Sequence, residues 1–303
     1  MDYKDKYIKY KTKYLELKNM DINNQIGGGS KNNKILFIMF PGNLVIKKGW
    51  DVIDYDSKNK KFIRNNFIRE IRKLGDIYFY EPTYYNIYSY YEKNEKWWGK
   101  NPKIDFSLDD IDVEKVCSKI YDDVKDFNGK IILLGHSMGA YFVYYFGQRY
   151  FEKCLFGIVI DGMFISKEPE ENFKVNLKKY LKYTNEDIKN LLQDVKNSNK
   201  KSIEKLSDIF FFNIANYSNI IRNIKKFNIP ILSFYNYETD CKNKVIIKLN
   251  EARNNDINHI RKYNDDINFK IITFLNKTHF PHHIEEAKNI IIENIKLFIS
   301  KYN

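Results

Sequence analysis

The 303-residue chain is 43% hydrophobic and carries 51 Lys and Arg against 39 Asp and Glu, a net charge of +12. That supplies a sizeable core for one large domain or two small ones, and no run of about 18 apolar residues calls for a membrane span. Only seven of the basic residues are Arg, the side chain suited to reading bases and clamping phosphates. Lys, Asn, Ile and Tyr share AT-rich codons, so the charge follows composition and no specific nucleic-acid partner is expected. Cys117, Cys154 and Cys241 form no CxxC pair, which suits a reducing compartment and disfavours a disulfide framework or zinc site. No apolar h-region follows the first lysines, so a cytoplasmic rather than secreted protein is expected.

Residues 1–30 read as a separate leader. Tyr7, Tyr10, Tyr14 and Leu17 recur at helical spacing among lysines, and Gly27, Gly28, Gly29 and Ser30 then break the pattern. The leader is either a solvated helix or basic arm, or a targeting or docking segment. The remaining 31–303 read as one α/β domain. Strands are predicted over 34–40, 77–80, 130–134, 155–160, 229–235 and 269–275. Helices are predicted over 62–74, 108–127, 138–151, 242–261 and 284–300. Alternating apolar strands and amphipathic helices imply a mostly parallel sheet covered on both faces. Residues 162–228 interrupt the alternation with helical patterns and no convincing strand. This is the expected helical lid, since so long an insertion is usually functional.

Gly135-His136-Ser137-Met138-Gly139 is G-x-S-x-G, placed after a predicted strand and opening a predicted helix. That context is a nucleophile elbow, in which a sharp turn strains the serine backbone and presents its hydroxyl. Side chains at the flanking positions would collide with the neighbouring strand and helix. Glycine is scarce here, 13 in all, yet two stand at those places.

A serine hydroxyl needs a base. His279 comes first after the last strand, where the base belongs in the order Ser, acid, His. His282 and His283 are read as beginning the last helix or lining the rim. The H-x-x-H-H spacing lacks a carboxylate or Cys partner, so no metal is expected. The orienting carboxylate is Asp240 after the 229–235 strand, with Glu238 and Asp161 as alternatives. The oxyanion donors are the Met138 N–H at the helix start and the Asn43 N–H in the loop after the first strand, where Gly42 permits close approach.

These segments in this order resemble the α/β-hydrolase superfamily from about residue 34 to the C-terminus. Leu133-Leu134-Gly135-His136-Ser137-Met138-Gly139-Ala140 is similar to its elbow. Phe106-Ser107-Leu108-Asp109-Asp110 is similar to the opening of the preceding helix. Tyr237-Glu238-Thr239-Asp240 is similar to its acid loop and Thr278-His279-Phe280-Pro281-His282 to its histidine loop. The resemblance implies Ser137, Asp240 and His279 as nucleophile, acid and base, with Asn43 and Met138 as oxyanion donors. Pro41-Gly42 stands where His-Gly is usual, a Tyr/Trp-rich stretch replaces the loop after the second strand, and the N-terminal hairpin of many members is missing. The leader resembles the lysine/tyrosine-rich, GGG-ended leaders of giant DNA virus proteins, which implies a host-cytoplasm or virion setting.

The expected chemistry is hydrolysis of a small carboxylic ester, acyl or aromatic, through an acyl-enzyme and without a cofactor. Tyr84, Tyr85, Trp97 and Trp98 are candidate walls of an apolar pocket. Carbon–carbon bond hydrolysis and acyl transfer use the same triad and stay open. So does a non-catalytic virion or interaction protein that keeps the fold. The oligomeric state is not legible.

Overall fold

The computed structural model describes residues 34–42, 50, 52–56, 61–80, 113–162, 226–236, 250, 254, 257–258, 260–264, 269–275 and 280–303. The leader, the 163–225 part of the expected lid and the aromatic stretch 81–98 lie outside them.

Six strands form one sheet: β1 (Ile35–Phe40), β4 (Asp76–Phe79), β5 (Lys130–His136), β6 (Cys154–Ile160), β7 (Ile231–Asn236) and β8 (Phe269–Phe274). Their order is β4-β1-β5-β6-β7-β8, and every neighbouring pair is parallel. β2 (Val52–Asp56) and β3 (Lys61–Arg64) pair antiparallel as a separate two-stranded ribbon.

Both faces of the sheet are apolar because successive strand residues point to opposite sides. Leu36, Ile38 and Phe40 of β1 join Ile131 and Leu133 of β5 in one core. Helices α2 (Val113–Val124) and α3 (Gly139–Arg149) close that side. Ile35, Phe37 and Met39 join Ile132 and Leu134 in the other core, closed by α1 (Phe67–Arg72) and α4 (Glu285–Tyr302). In α2 the buried Val113, Val116, Cys117, Ile120 and Val124 keep the i, i+3, i+4 spacing of one helical stripe. No described helix is long and apolar enough to cross a membrane.

The predicted helix over 62–74 is corrected. Residues 61–64 are strand β3, and the helix starts only at Phe67. Asn66 adopts a left-handed conformation with φ 62°, and the Asn65 side chain accepts the Phe67 N–H at 3.1 Å. A left-handed residue cannot continue a right-handed helix, and the Asn65 side chain takes up the otherwise unpaired N–H of the first helical residue. β5 also runs two residues past its predicted end, to His136.

The packing predicts a contrast. Ile132→Ala, at the sheet centre, lowers unfolding free energy by about 2–5 kcal/mol. Leu297→Ala, at an α4 position that is 62% exposed, shifts it by less than about 0.5 kcal/mol. Denaturant unfolding of the two variants measures both.

Candidate active site

β1 leads on to β4 on one side and β5 leads on to β6 on the other, so the connections that follow β1 and β5 run in opposite directions. Crevices at such switch points, at the carboxyl edge of a parallel sheet, are where α/β proteins bind ligands. Ser137 follows β5 there. Its φ is 53°, one of three positive values among described non-glycine residues. Its N–H donates to the Ile160 carbonyl at 3.0 Å, and its own carbonyl accepts from Ala140 N at 3.1 Å. The turn is thus bonded both to β6 and to the first turn of α3.

Steric fit explains the flanking glycines. A Cβ on Gly135 would sit 2.4 Å from the Gly139 carbonyl oxygen, and one on Gly139 would sit 2.2 Å from the Phe40 carbonyl oxygen. These are backbone atoms that cannot swing aside. Gly42, after β1, approaches from across the crevice: its Cβ would stand 3.0 Å from the Ser137 Cβ and 2.7 Å from His136 Nδ1. Ser137 is only 6% exposed, so its hydroxyl is enclosed more closely than the sequence suggests. Met138, at the N-cap of α3, is helical at φ −58°. Among the described residues its N–H has no backbone acceptor, unlike that of Ser137.

Asp161, the alternative acid, follows β6 at the same edge with φ 42° and is buried. Its N–H donates to the Phe234 carbonyl at 2.7 Å, and its Oδ1 accepts from Asn236 N at 3.2 Å. The side chain therefore ties the ends of β6 and β7 together. Asn236 is the last described residue before the segment carrying Glu238 and Asp240. Those two carboxylates, Asn43, His279, Tyr84, Tyr85, Trp97 and Trp98 all lie outside the described residues.

The chain returns beside the elbow at Phe280, which directly follows His279 in sequence. The Phe280 ring stacks on His136 at 4.7 Å. Pro281–His283 form a 3-10 turn that the extended Ile284 separates from α4, so His282 and His283 precede the last helix rather than begin it. His282 is not on the rim either. It is 1% exposed and packs against His136 at 5.1 Å, Trp50 at 5.4 Å and Phe67 at 5.2 Å. The His136 ring lies within the same cluster, beside Trp50, Phe280 and His282. Burial pushes the Cys154 thiol up to about 12, far from an ionised nucleophile.

Sequence reasoning missed the groups that fix this loop. Asn65 donates from Nδ2 to the His282 carbonyl, and Lys288 Nζ donates to the Asn65 carbonyl at 2.9 Å. The only signals were the Asn65-Asn66 pair inside an apolar pattern and the Glu285–Lys288 spacing on the last helix.

No protein-family model matches the chain, and no curated protein matches it significantly. Solved structures do match. Mouse alpha/beta hydrolase domain-containing protein 10 is 13% identical, with a TM-score of 0.51 over 91% of this chain and 92% of its own. A peroxisomal alpha-beta-hydrolase of Saccharomyces cerevisiae is 12% identical, with a TM-score of 0.51 over 89% and 78%. Together with the parallel six-stranded sheet and the turn after β5, these likenesses establish that the chain has the α/β-hydrolase fold.

Backbone strain at Ser137 has a measurable consequence. Glycine adopts positive φ without steric cost, whereas alanine does not. Ser137→Gly is expected to exceed Ser137→Ala in unfolding free energy by about 1 kcal/mol, read from denaturant midpoints.

Proposed function

We propose that the chain is a serine hydrolase that cleaves carboxylic esters, with Ser137 as nucleophile and His279 as base. The observation that carries this reading is the strained Ser137 between β5 and α3, fixed by Gly135 and Gly139 and facing Gly42 across the switch point. A fold needs no positive-φ serine for stability. Positive φ is uncommon at serine and clusters at functional sites.

The reaction proceeds in two halves. The Ser137 Oγ attacks the ester carbonyl carbon while His279 accepts the hydroxyl proton. The carbonyl oxygen becomes an oxyanion, which receives hydrogen bonds from the Met138 N–H and the Asn43 N–H. Collapse of this tetrahedral species breaks the bond to the alkoxy oxygen, and the alcohol departs with the proton from His279. Water then repeats the attack on the acyl-enzyme, releases the acid and restores Ser137. Asp240 orients His279 and stabilises its charged form. Support for the Met138 role is its place at the helix N-terminus, where N–H groups lack intrahelical acceptors and favour negative charge. Asp161 is assigned the structural tie at the Asn236 N–H rather than the acid role.

Labelling by a fluorophosphonate probe tests the nucleophile and base together. The wild type is expected to label, and Ser137→Ala and His279→Ala to lose labelling. Both variants should cut kcat on p-nitrophenyl esters by about a thousandfold or more. A folded wild type that neither labels nor turns over any ester overturns the reading.

A further inference from the structure

Two polar contacts at the turn Pro281–His283 and helix α4 join elements that are far apart in sequence, and a third is local. Asn65 accepts the Phe67 N–H at its Oδ1 and donates from Nδ2 to the His282 carbonyl. Its own carbonyl accepts from Lys288 Nζ at 2.9 Å. Lys288 is 5% exposed and its ammonium is held 2.7 Å from both oxygens of Glu285, on the first turn of the same helix. One residue between β3 and α1 thus grips both the 3-10 turn Pro281–His283 and helix α4. In front of this brace, His282 packs edge-on against His136, and Phe280 stacks on the same ring. His136 is the residue before Ser137. The path from brace to nucleophile is therefore continuous: Asn65, His282, His136, Ser137.

Buried polar groups are costly unless paired. A buried lysine that holds a buried asparagine, which in turn holds one loop carbonyl, is a demanding way to fasten a loop that apolar packing could hold. Apolar contacts, however, are non-directional, whereas a hydrogen bond to a chosen carbonyl fixes where the backbone sits. We propose that Asn65 and Lys288 are positioning residues, which set the histidine loop against the elbow so that the base meets the Ser137 hydroxyl. This inference rests on the proposed ester hydrolysis. Misplacing a catalytic group by about 1 Å costs on the order of a hundredfold in rate, and it does so without weakening substrate binding in proportion.

Asn65→Asp is the discriminating variant. Its carboxylate still caps Phe67 N–H, but it cannot donate to the His282 carbonyl. Lys288→Met keeps the stem and removes the ammonium; Glu285, 70% exposed, is then solvated. Lys288→Arg keeps the cation. The full chain is assayed on a p-nitrophenyl ester, with thermal melts and the rate of Ser137 labelling alongside. The expected result is a 10- to 100-fold fall in kcat for Asn65→Asp and Lys288→Met, on the order set by such misplacement. KM should stay within about twofold, labelling should slow in parallel, and Lys288→Arg should recover part of the rate. Unchanged kcat in folded variants overturns the proposal, as does a rise in KM alone or loss of the fold in both. A wild type with no Ser137-dependent turnover overturns this proposal and the hydrolase reading together. An active wild type with silent Asn65 and Lys288 variants overturns this one alone.

Discussion

The Phe40 carbonyl oxygen stands where a side chain at position 139 would begin, 2.2 Å from a Cβ there. That approach of β1 to the first residue of α3 is the constraint on which the site depends. It forces glycine at 139, and the matching contact between 135 and 139 forces glycine at 135. Between them the chain must turn from strand to helix within Ser137 and Met138, and Ser137 takes up the strain at φ 53°. The Ser137 N–H bond to Ile160 and the Ala140 N–H bond to Ser137 hold the turn from both sides. A core closely packed on both faces of the sheet keeps these backbone atoms from relaxing apart.

In the proposed hydrolase a rigid elbow is half of the catalytic arrangement, and the other half must be brought to it from the far end of the chain. Here the parallel sheet does the coarse work. Because all its strands run the same way, the segments after β1, β5, β6, β7 and β8 leave from one edge. The finer placement comes from the cluster of Trp50, Phe67, His136, Phe280 and His282. These rings supply apolar area and shape, and the Asn65–Lys288 brace behind them supplies direction. The Asp161 bond to Asn236 N does the same for the strand end that precedes Glu238 and Asp240.

The sheet was legible because strands buried on both faces read as short, unbroken apolar runs, as in β1, β5 and β6. Ser137 was legible because its requirement is steric and local: two scarce glycines at fixed offsets around a serine. The boundary of α1 was not. Phe62, Ile63, Phe67, Ile68 and Ile71 satisfy a helical stripe, and the break depends on a left-handed Asn66 that such a pattern does not register. The buried place of His282 was also hidden. It is set by Asn65, 217 residues earlier, and by rings contributed from three separate stretches of chain. Pattern reading detects what neighbours in sequence do to one another. It does not detect a hydrogen bond between a loop near the start of the fold and its last helix.

In the proposed reaction Ser137 carries the acyl group between the two halves. Rapid-quench mixing with a p-nitrophenyl ester, followed by intact-mass and peptide mass spectrometry, measures this directly. A burst of p-nitrophenol no larger than the enzyme concentration is expected, with a transient acyl adduct on the peptide containing Ser137. Ester turnover in which the acyl group is found on another side chain, or turnover that persists in Ser137→Ala, would contradict that role of Ser137.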